Sequence, residues 1–190
     1  GWVLVAILSP IILVVALICS IFSSTSQHNV STVELCFHGG TISASATPEY
    51  RQFILEMRES FSMLDSMVEE INSLLEDGES LDANRVKAIF YVLYFGAQQP
   101  DEVGLQSFVD CFVTYEEHTR TVTAEDGTET EESYTVAIPV ADIAAVYGNL
   151  ENVLHLQLSE EQKSNADSVY NLARYGVAGG SEGWIPGADV

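Results

Sequence analysis

The stretch that decides the fold is "TPEYRQFILEMRESFSMLDSMVEEINSLLEDG", Thr47 to Gly78. Thr47 suits a helix N-cap, Pro48 suits the first helical position, and Glu49 lies at the positive end of the helix dipole. The pattern predicts a long helix that ends at Gly78. Its apolar residues recur at heptad spacing in two rows, and together they form a stripe broad enough for a helical core. The first row is Tyr50, Phe53, Met57, Leu64, Met67, Ile71 and Leu74, and the second is Ile54, Phe61, Val68 and Leu75.

Further helical segments follow this one. A segment that is apolar on most sides runs from Asp82 to Gly96, which is typical of a central bundle helix. A shorter helix is predicted over Asp101–Val113, and helical spacing returns over Val140–Leu154. Ser159 and Gln162 form a capping box that opens a last helix ending at Gly176. The predicted fold class is therefore mainly α, with a small helical bundle in residues 48–176.

One segment has a different period. In "YEEHTRTVTAEDGTETEESYTVAIPV", residues 115–140, β-prone residues alternate with polar ones on both sides of Asp126-Gly127. Such a pattern predicts a β-hairpin inserted in the bundle, with arms over Phe112–Thr123 and Thr128–Val140. A ribbon of two strands is marginally stable in water, so we expect it to lie against the helices or a partner.

The chain begins with an uncharged apolar run, "GWVLVAILSPIILVVALICSIF", residues 1–22. As a helix it would span roughly 30 Å, about the thickness of a bilayer core, which predicts a transmembrane anchor. A cleaved signal peptide and a buried core helix are the alternatives. The first basic residue is Arg51. A basic cytoplasmic stub ahead of the run would place the rest of this single-pass protein outside the cytoplasm.

Two segments are poor in apolar residues. Residues 23–47, "SSTSQHNVSTVELCFHGGTISASAT", are small and polar, which predicts a flexible stalk containing a turn at His38–Gly40. Residues 177–190, "VAGGSEGWIPGADV", read as a glycine-rich linker to a further domain.

The chain is strongly acidic, with 28 acidic and 7 basic residues and a net charge of −21. This charge argues against a nucleic-acid partner and suits an extracytoplasmic domain. The chain has three cysteines, of which Cys19 lies in the apolar run. Whether Cys36 and Cys111 form a disulfide stays open, because their spacing matches no disulfide signature.

No pattern in the sequence indicates a catalytic, cofactor-binding or metal-binding residue. The four histidines lack the spacing of a zinc site. They are His28, His38, His118 and His155. Neighbouring glutamates such as Glu69–Glu70 are typical of a solvated face. The sequence also lacks the nucleophile-elbow, phosphate-loop, dinucleotide and calcium motifs. The aromatic residues Phe90, Tyr91, Tyr94 and Phe95 suit core packing better than a platform for stacking carbohydrate.

The order of these segments carries a resemblance. The chain contains "ALICSIFSSTSQ", then "PEYRQFILEMRESFSMLDSMVEEINSLLEDGESLDANRVKAIFYVLYFGAQQPDE", then "YTVAIPV" and a terminal "GGSEGWIPGADV". It resembles the N-terminal, non-catalytic half of membrane-anchored cell-wall hydrolases of conjugative mobile elements of Firmicutes. The resemblance implies a downstream peptidoglycan-cleaving domain, typically a lysostaphin-like zinc endopeptidase with an H-x-x-x-D pair and a later H-x-H. Neither pattern occurs at His118 or His155, so no residue here takes a zinc-binding role.

The expected function is a membrane-tethered, extracytoplasmic positioning module of a peptidoglycan hydrolase that acts in conjugation, with catalysis beyond Val190. The expected partners are a lipid bilayer, through residues 1–22, and peptidoglycan or channel proteins. One alternative is a lysozyme-like glycan hydrolase with Glu116 or Glu117 as the acid. Another is an interaction protein of the conjugation channel.

Overall fold

The computed structural model describes residues 26–75, 79–123 and 128–176. The chain is 60% helical, with six helices and one two-stranded sheet in these ranges. The helices are α1 (Ser26–Phe37), α2 (Pro48–Asn72), α3 (Ala83–Tyr94), α4 (Glu102–Val109), α5 (Ile143–Leu154) and α6 (Glu160–Tyr175). A single 3₁₀ turn, Asp110–Phe112, precedes strands β1 (Val113–Thr123) and β2 (Glu129–Pro139).

The predicted fold class began with a transmembrane helix, and this prediction is contradicted. None of the helices in the described ranges is long and apolar enough to cross a membrane. The run on which the prediction rested, residues 1–22, lies outside the described residues, as does the predicted linker over residues 177–190. The fold class is corrected to a mainly helical chain with one β-hairpin.

The chain divides into two compact units, where the sequence predicted one bundle. The first comprises the described residues of Gly1–Ser62, with Asn84–Gln99 and the described residues of Ser159–Val190. The second comprises Met63–Ala83 and Pro100–Leu158, without the undescribed residues in those ranges.

Helix α2 begins where the capping residues predicted it. The Tyr50 amide donates to the Thr47 hydroxyl at 3.2 Å, which satisfies one of the free N–H groups of the first turn. The apolar stripe is buried at Ile54, Met57, Phe61, Leu64, Val68 and Ile71. Burial of each such side chain contributes about 1.5–3 kcal/mol to folding.

The end of α2 differs from the prediction. The helix ends at Asn72 and not at Gly78, which lies outside the described residues. Leu74 is 40% exposed, and Leu75 forms a parallel β-bridge with Ala137. The sequence pattern could not show this. Leu74 and Leu75 have the spacing of a continued helix, but apolar residues at these positions also fit a short extended segment that pairs with a strand.

The predicted flexible stalk over residues 23–47 is wrong for residues 26–37, which are helical, while residues 23–25 lie outside the described residues. Its first part forms α1, in which Thr32, Val33 and Cys36 are buried. Phe37 at its end meets Phe61 edge-on, with ring centroids 4.6 Å apart. Small and polar residues lowered the average hydropathy of this segment, but three positions spaced along one face of a helix suffice to pack it against the first unit.

Arg58 fastens the segment after α1 to α2. Its Nε donates to the Leu35 carbonyl at 2.7 Å, and one terminal nitrogen donates to the Gly40 carbonyl at 3.0 Å. The predicted turn is present, with positive φ angles of 79° at Gly39 and 104° at Gly40, which favour glycine. One guanidinium therefore satisfies carbonyls on both sides of the turn.

Helices α3 and α6 complete the first unit. Tyr91 and Phe95 stack with centroids 4.8 Å apart, and Phe90, Tyr91 and Phe95 are all buried. This burial supports core packing for the aromatic cluster of α3 and leaves no open platform at these three rings. The capping box predicted at Ser159 and Gln162 is present, and Gly176 ends α6 at a φ of 70°.

The second unit contains α4, the hairpin and α5. Asp101 caps α4 by accepting from the Gly104 amide, and Asp142 caps α5 by accepting from the Ala144 amide. The core of this unit includes Leu105, Phe108 and Leu150, each with 0% exposure. The two strands are antiparallel, from Val113 opposite Pro139 to Thr123 opposite Glu129, close to the predicted arms.

We predict that Arg58→Ala destabilises α1 by about 1–2 kcal/mol, because two charge-assisted hydrogen bonds are lost. The His38 amide, which donates to the Glu34 carbonyl at 2.9 Å, reports on this region. Its hydrogen-exchange protection should fall accordingly. Arg51→Ala is the matched control, because Arg51 makes one exposed bond to the Ser43 carbonyl. An equal loss of protection in both variants would contradict the role given to Arg58.

Candidate functional site

The hairpin is the feature of the second unit that presents the most side chains to solvent. Val113, Val136 and Ala137 at its base are buried, with exposures of 4%, 5% and 0%. In the described residues between Thr114 and Thr135, every side chain is exposed except that of His118, which is intermediate. The ribbon therefore has a base inside the unit and a distal part that faces water on both sides.

Three contacts hold the base. The Ala137 amide donates to the Leu74 carbonyl at 2.9 Å, and the Val140 amide donates to the Phe112 carbonyl at 2.8 Å. The Tyr115 hydroxyl donates to Asp110 at 2.8 Å. Partial desolvation, this hydrogen bond and the Asp110 charge raise the pKa of Tyr115, whose side chain is only partly covered, to about 12. Strand β2 thus carries β1 on one side and a single bridge from Leu75 on the other.

One face of the ribbon holds a connected set of side chains. Arg120 donates to Glu132 at 2.8 and 3.0 Å, and its guanidinium lies 5.5 Å from the Tyr134 ring centroid. The ring of His118 meets the same tyrosine at 5.8 Å, and His118 lies 3.2 Å from Glu116. Apart from the half-buried His118, these groups are solvent-exposed, so water and salt screen the pairs and they add little to stability. Their effect is to order this face and to balance part of its charge.

The opposite face has a different character. In a strand, residues two apart share a face, so Glu117, Glu129 and Glu131 lie together here with threonine and serine side chains between them. The part of this face that the structure describes, in β1 and β2, contains no basic residue. The result is a flat hydroxyl-rich surface that carries negative charge alone.

The alternative acid residues do not lie in a setting that suits glycan hydrolysis. Glu116 and Glu117 are both exposed on β1. A general acid of the lysozyme type depends on an apolar pocket that keeps its carboxyl group protonated. Both side chains are exposed to solvent instead, and that of Glu116 lies beside His118.

The four histidines are not brought together. His38 contacts the Ala173 carbonyl at 3.0 Å in the first unit, and His118 lies on the ribbon. His155 ends α5 with a left-handed backbone at a φ of 53°, and the side chain of His28 is not among those described. Among the residues that the structure describes, no group of three or more His, Cys, Asp or Glu side chains could hold a metal ion.

The two described cysteines are thiols, and both are buried. Burial raises the pKa of Cys36 to about 12, a rise that the nearby Arg58 charge partly opposes. Burial and the Asp110 charge raise the pKa of Cys111 to about 11. The Cys111 thiol donates to the Ser107 carbonyl at 3.3 Å. Reactive cysteines have the opposite properties, exposure and a lowered pKa.

The first unit has a cavity of about 580 Å³ beside α1 and the start of α2. Leu35, Ile42 and Ala46 line it together with the hydroxyl groups of residues such as Ser31 and Ser43. The Tyr50 hydroxyl, also in the lining, is bonded to Thr32. None of the lining residues that the structure describes is an acid, a base or a cysteine, so these residues offer apolar contact and hydroxyl groups.

Comparisons with protein-family models, curated proteins and solved structures give no match for the chain. The resemblance to cell-wall hydrolases of conjugative elements therefore stays a prediction.

The candidate site that sequence reasoning missed is the outer edge of β2. The sequence held part of the information, because the alternating pattern predicts a two-stranded hairpin, and each strand of such a hairpin has an open edge. The bridge between Leu75 and Ala137 joins residues that are far apart in the sequence, so no local pattern predicts it.

We predict that neither Cys36 nor Cys111 reacts readily in the native protein at pH 8. The raised pKa values lower the thiolate fraction by about two to three orders of magnitude, and burial slows access further. In a Cys19→Ser variant, titration with a chromogenic disulfide should count no fast thiol in buffer and two in denaturant. Rapid native reaction of either thiol would contradict this.

The same shifts predict the pH dependence of stability. The folded-state pKa values lie above the ordinary value of 9.0, so the unfolded chain ionises first. The thiol contribution to stability is full below pH 9 and is lost as the pH rises through about 11 for Cys111 and 12 for Cys36. Replacing both residues with alanine should flatten the alkaline side of the stability curve, measured by urea unfolding.

Proposed function

We propose that this chain is an extracytoplasmic positioning module of a peptidoglycan hydrolase that acts in conjugative transfer. Its ordered helical units set the place of the hydrolase, its exposed hairpin engages a partner protein, and catalysis resides in a domain beyond Val190. The single observation that carries the proposal is the hairpin, because its distal side chains are exposed on both faces of an ordered two-stranded ribbon.

An exposed two-stranded ribbon is costly to order. Ordering a residue costs about 1–2 kcal/mol in backbone entropy alone. Two isolated strands recover little of this by burial. Strands of 11 residues each, with only their base inside the unit, are therefore longer than core packing requires. Binding of a partner protein would explain why the strands extend beyond the buried base.

The order of segments supports the hydrolase setting through the resemblance described above. Replacement of the expected stalk by α1 and its Arg58 contacts adds to the argument. A module with this ordered segment holds an attached domain at a defined place better than a flexible chain of equal residue number.

We predict that the purified chain releases no soluble muropeptides from peptidoglycan sacculi, measured by reversed-phase chromatography. The reason is that Glu116 and Glu117 are exposed on β1, outside any apolar pocket of the kind that a general acid of the lysozyme type uses. Glu116→Gln and Glu117→Gln should leave this result unchanged. Release that disappears in either variant would favour the lysozyme-like alternative.

The positioning role is tested in the protein that carries the hydrolase domain. Replacement of residues 26–176 by a Gly/Ser linker of equal length should leave hydrolysis of purified sacculi within about twofold. It should lower the frequency of conjugative transfer at least tenfold, because the enzyme is intact but misplaced. Unchanged transfer would contradict the proposal, and a parallel loss of hydrolysis would show a catalytic contribution instead.

A further inference from the structure

We propose that the outer edge of β2, over Glu129–Thr135, binds an extended protein segment that carries lysine or arginine at alternate positions. This inference rests on the proposed docking role of the hairpin and names the edge, the binding mode and the chemistry of the partner. In this mode the partner adds a third strand to the sheet, and its main chain supplies the hydrogen bonds.

The register of the hairpin shows which backbone groups are available. Residues opposite one another in an antiparallel pair alternate between bonding across the pair and pointing away from it. Val140 bonds across to Phe112, and Ala137 points away to Leu74. The odd-numbered residues of β2 therefore present their N–H and C=O groups outward. Over the exposed length these are Glu129, Glu131, Ser133 and Thr135.

The chain itself already pairs one residue with this edge. Leu75 forms a parallel bridge with Ala137, next to the hydrogen bond from the Ala137 amide to the Leu74 carbonyl. Within the described residues this pairing stops there, and the four outward positions from Thr135 to Glu129 have no backbone partner. A further extended segment would continue the row of hydrogen bonds from the point where the intramolecular one ends.

A cleft in the second unit leaves room for that segment. Its volume is about 800 Å³, and its lining includes Leu74, Leu75, Tyr134 and Thr135 together with Arg120 of β1, whose charge is paired with Glu132. Leu74 and Tyr134 are each 40% exposed, so both offer apolar surface to a side chain of the incoming strand. The cleft therefore adjoins the edge at Thr135 and lies on the face that carries Arg120 and Tyr134, so the uncharged side chains of the incoming strand would face it.

The charge of the edge selects the partner. On the face shared by the outward residues, Glu129 and Glu131 have no ion-pair partner among the described residues. Side chains on an added strand would lie about 4.5–5.5 Å from them at the Cβ atoms. Cationic side chains at every second position would meet these carboxylates, whereas the other face, where Arg120 already pairs with Glu132, prefers uncharged ones.

The same charges argue against two other arrangements. Pairing of β2 with β2 of a second copy would bring glutamates of the same sign together, which is destabilising across strands. The outer edge of β1 presents Glu117 but otherwise hydroxyl groups, as at Thr119 and Thr121. The edge of β2 is thus the one that combines free backbone groups, a cleft and uncompensated acid residues.

Binding is tested with a fluorescein-labelled peptide, KTKVKTKVK, and the whole chain. A peptide of the same composition with its lysines grouped, KKKKKTVTV, is the control for simple charge attraction. We expect saturable binding of the alternating peptide and at least tenfold weaker binding of the grouped one. Equal binding of both peptides, or no saturation by about 1 mM, overturns the proposal.

Two variants locate the site. Ser133→Pro removes one outward N–H and should weaken binding about tenfold, since proline is tolerated at an edge but cannot donate. Thr119→Pro is the matched control, because Thr119 lies opposite Ser133 and points to the other edge. Its affinity should stay within twofold of wild type. The reverse order of effects would assign binding to β1 and overturn the proposal.

A second pair of variants keeps the test valid if proline disturbs the hairpin. Glu129→Gln with Glu131→Gln should weaken binding about three- to tenfold in 0.1 M salt. Glu59→Gln with Glu161→Gln removes equal charge from exposed sites in the first unit and should change the affinity less than twofold. Equal effects of the two pairs would show non-specific attraction.

Amide hydrogen exchange supplies a structural signature. Addition of the peptide should slow exchange at Glu131, Ser133 and Thr135, while the amides of Thr130 and Glu132, already bonded to β1, should change little. Slowing confined to other residues overturns the proposed edge. The assay contains no peptidoglycan, so its failure leaves the positioning role intact, and unchanged transfer in the linker experiment leaves the binding result intact.

Discussion

The rest of the structure depends on the burial of one apolar stripe, that of α2. Ile54 and Met57 are completely buried in the first unit, and Leu64 is completely buried in the second. A stripe of this kind recurs every three to four residues, which is the only spacing that keeps its members on one side of a helix. Hydrophobic burial is the main favourable term in folding, and α2 supplies buried residues to the core of each unit.

A constraint of the opposite kind shapes the hairpin. A two-stranded sheet always has two open edges, and a protein must prevent them from pairing at random with other chains. Glutamates at Glu129 and Glu131 do this by repelling a second copy of the same edge. The same carboxylates attract an extended segment of opposite charge. One pair of side chains therefore discourages self-association and selects a partner, and both effects follow from the sign of the charge.

The described cysteines and the described glutamates of the ribbon share one property: none lies in an environment that favours catalysis. The thiols of Cys36 and Cys111 are buried, which keeps them protonated and unreactive. The glutamates of the ribbon are exposed to solvent. Acid–base and nucleophilic chemistry need the reverse arrangement, with carboxyl groups held in apolar pockets and thiolates exposed beside positive charge. These particular residues suit binding at a surface better than bond cleavage.

Local patterns in the sequence determined much of the secondary structure. Thr47, Ser159 and the alternation around the hairpin marked element boundaries to within a residue or two, because capping and strand pairing act between near neighbours. The same local reasoning failed for α1, whose polar average hid three core positions, and for the segment after Asn72, which was read as helix. It also proposed a membrane-spanning helix that no described part of the structure contains.

What only the tertiary structure decided is the set of long-range contacts. The sequence by itself determined that the chain is mainly helical, acidic and interrupted by one hairpin. The division into two units, the Arg58 contacts that hold the expected stalk in place, and the bridge from Leu75 to Ala137 came from packing. Each of these contacts joins groups that are far apart in the chain. Its free energy is gained only when the fold has brought both groups together, so a local sequence pattern does not reveal it.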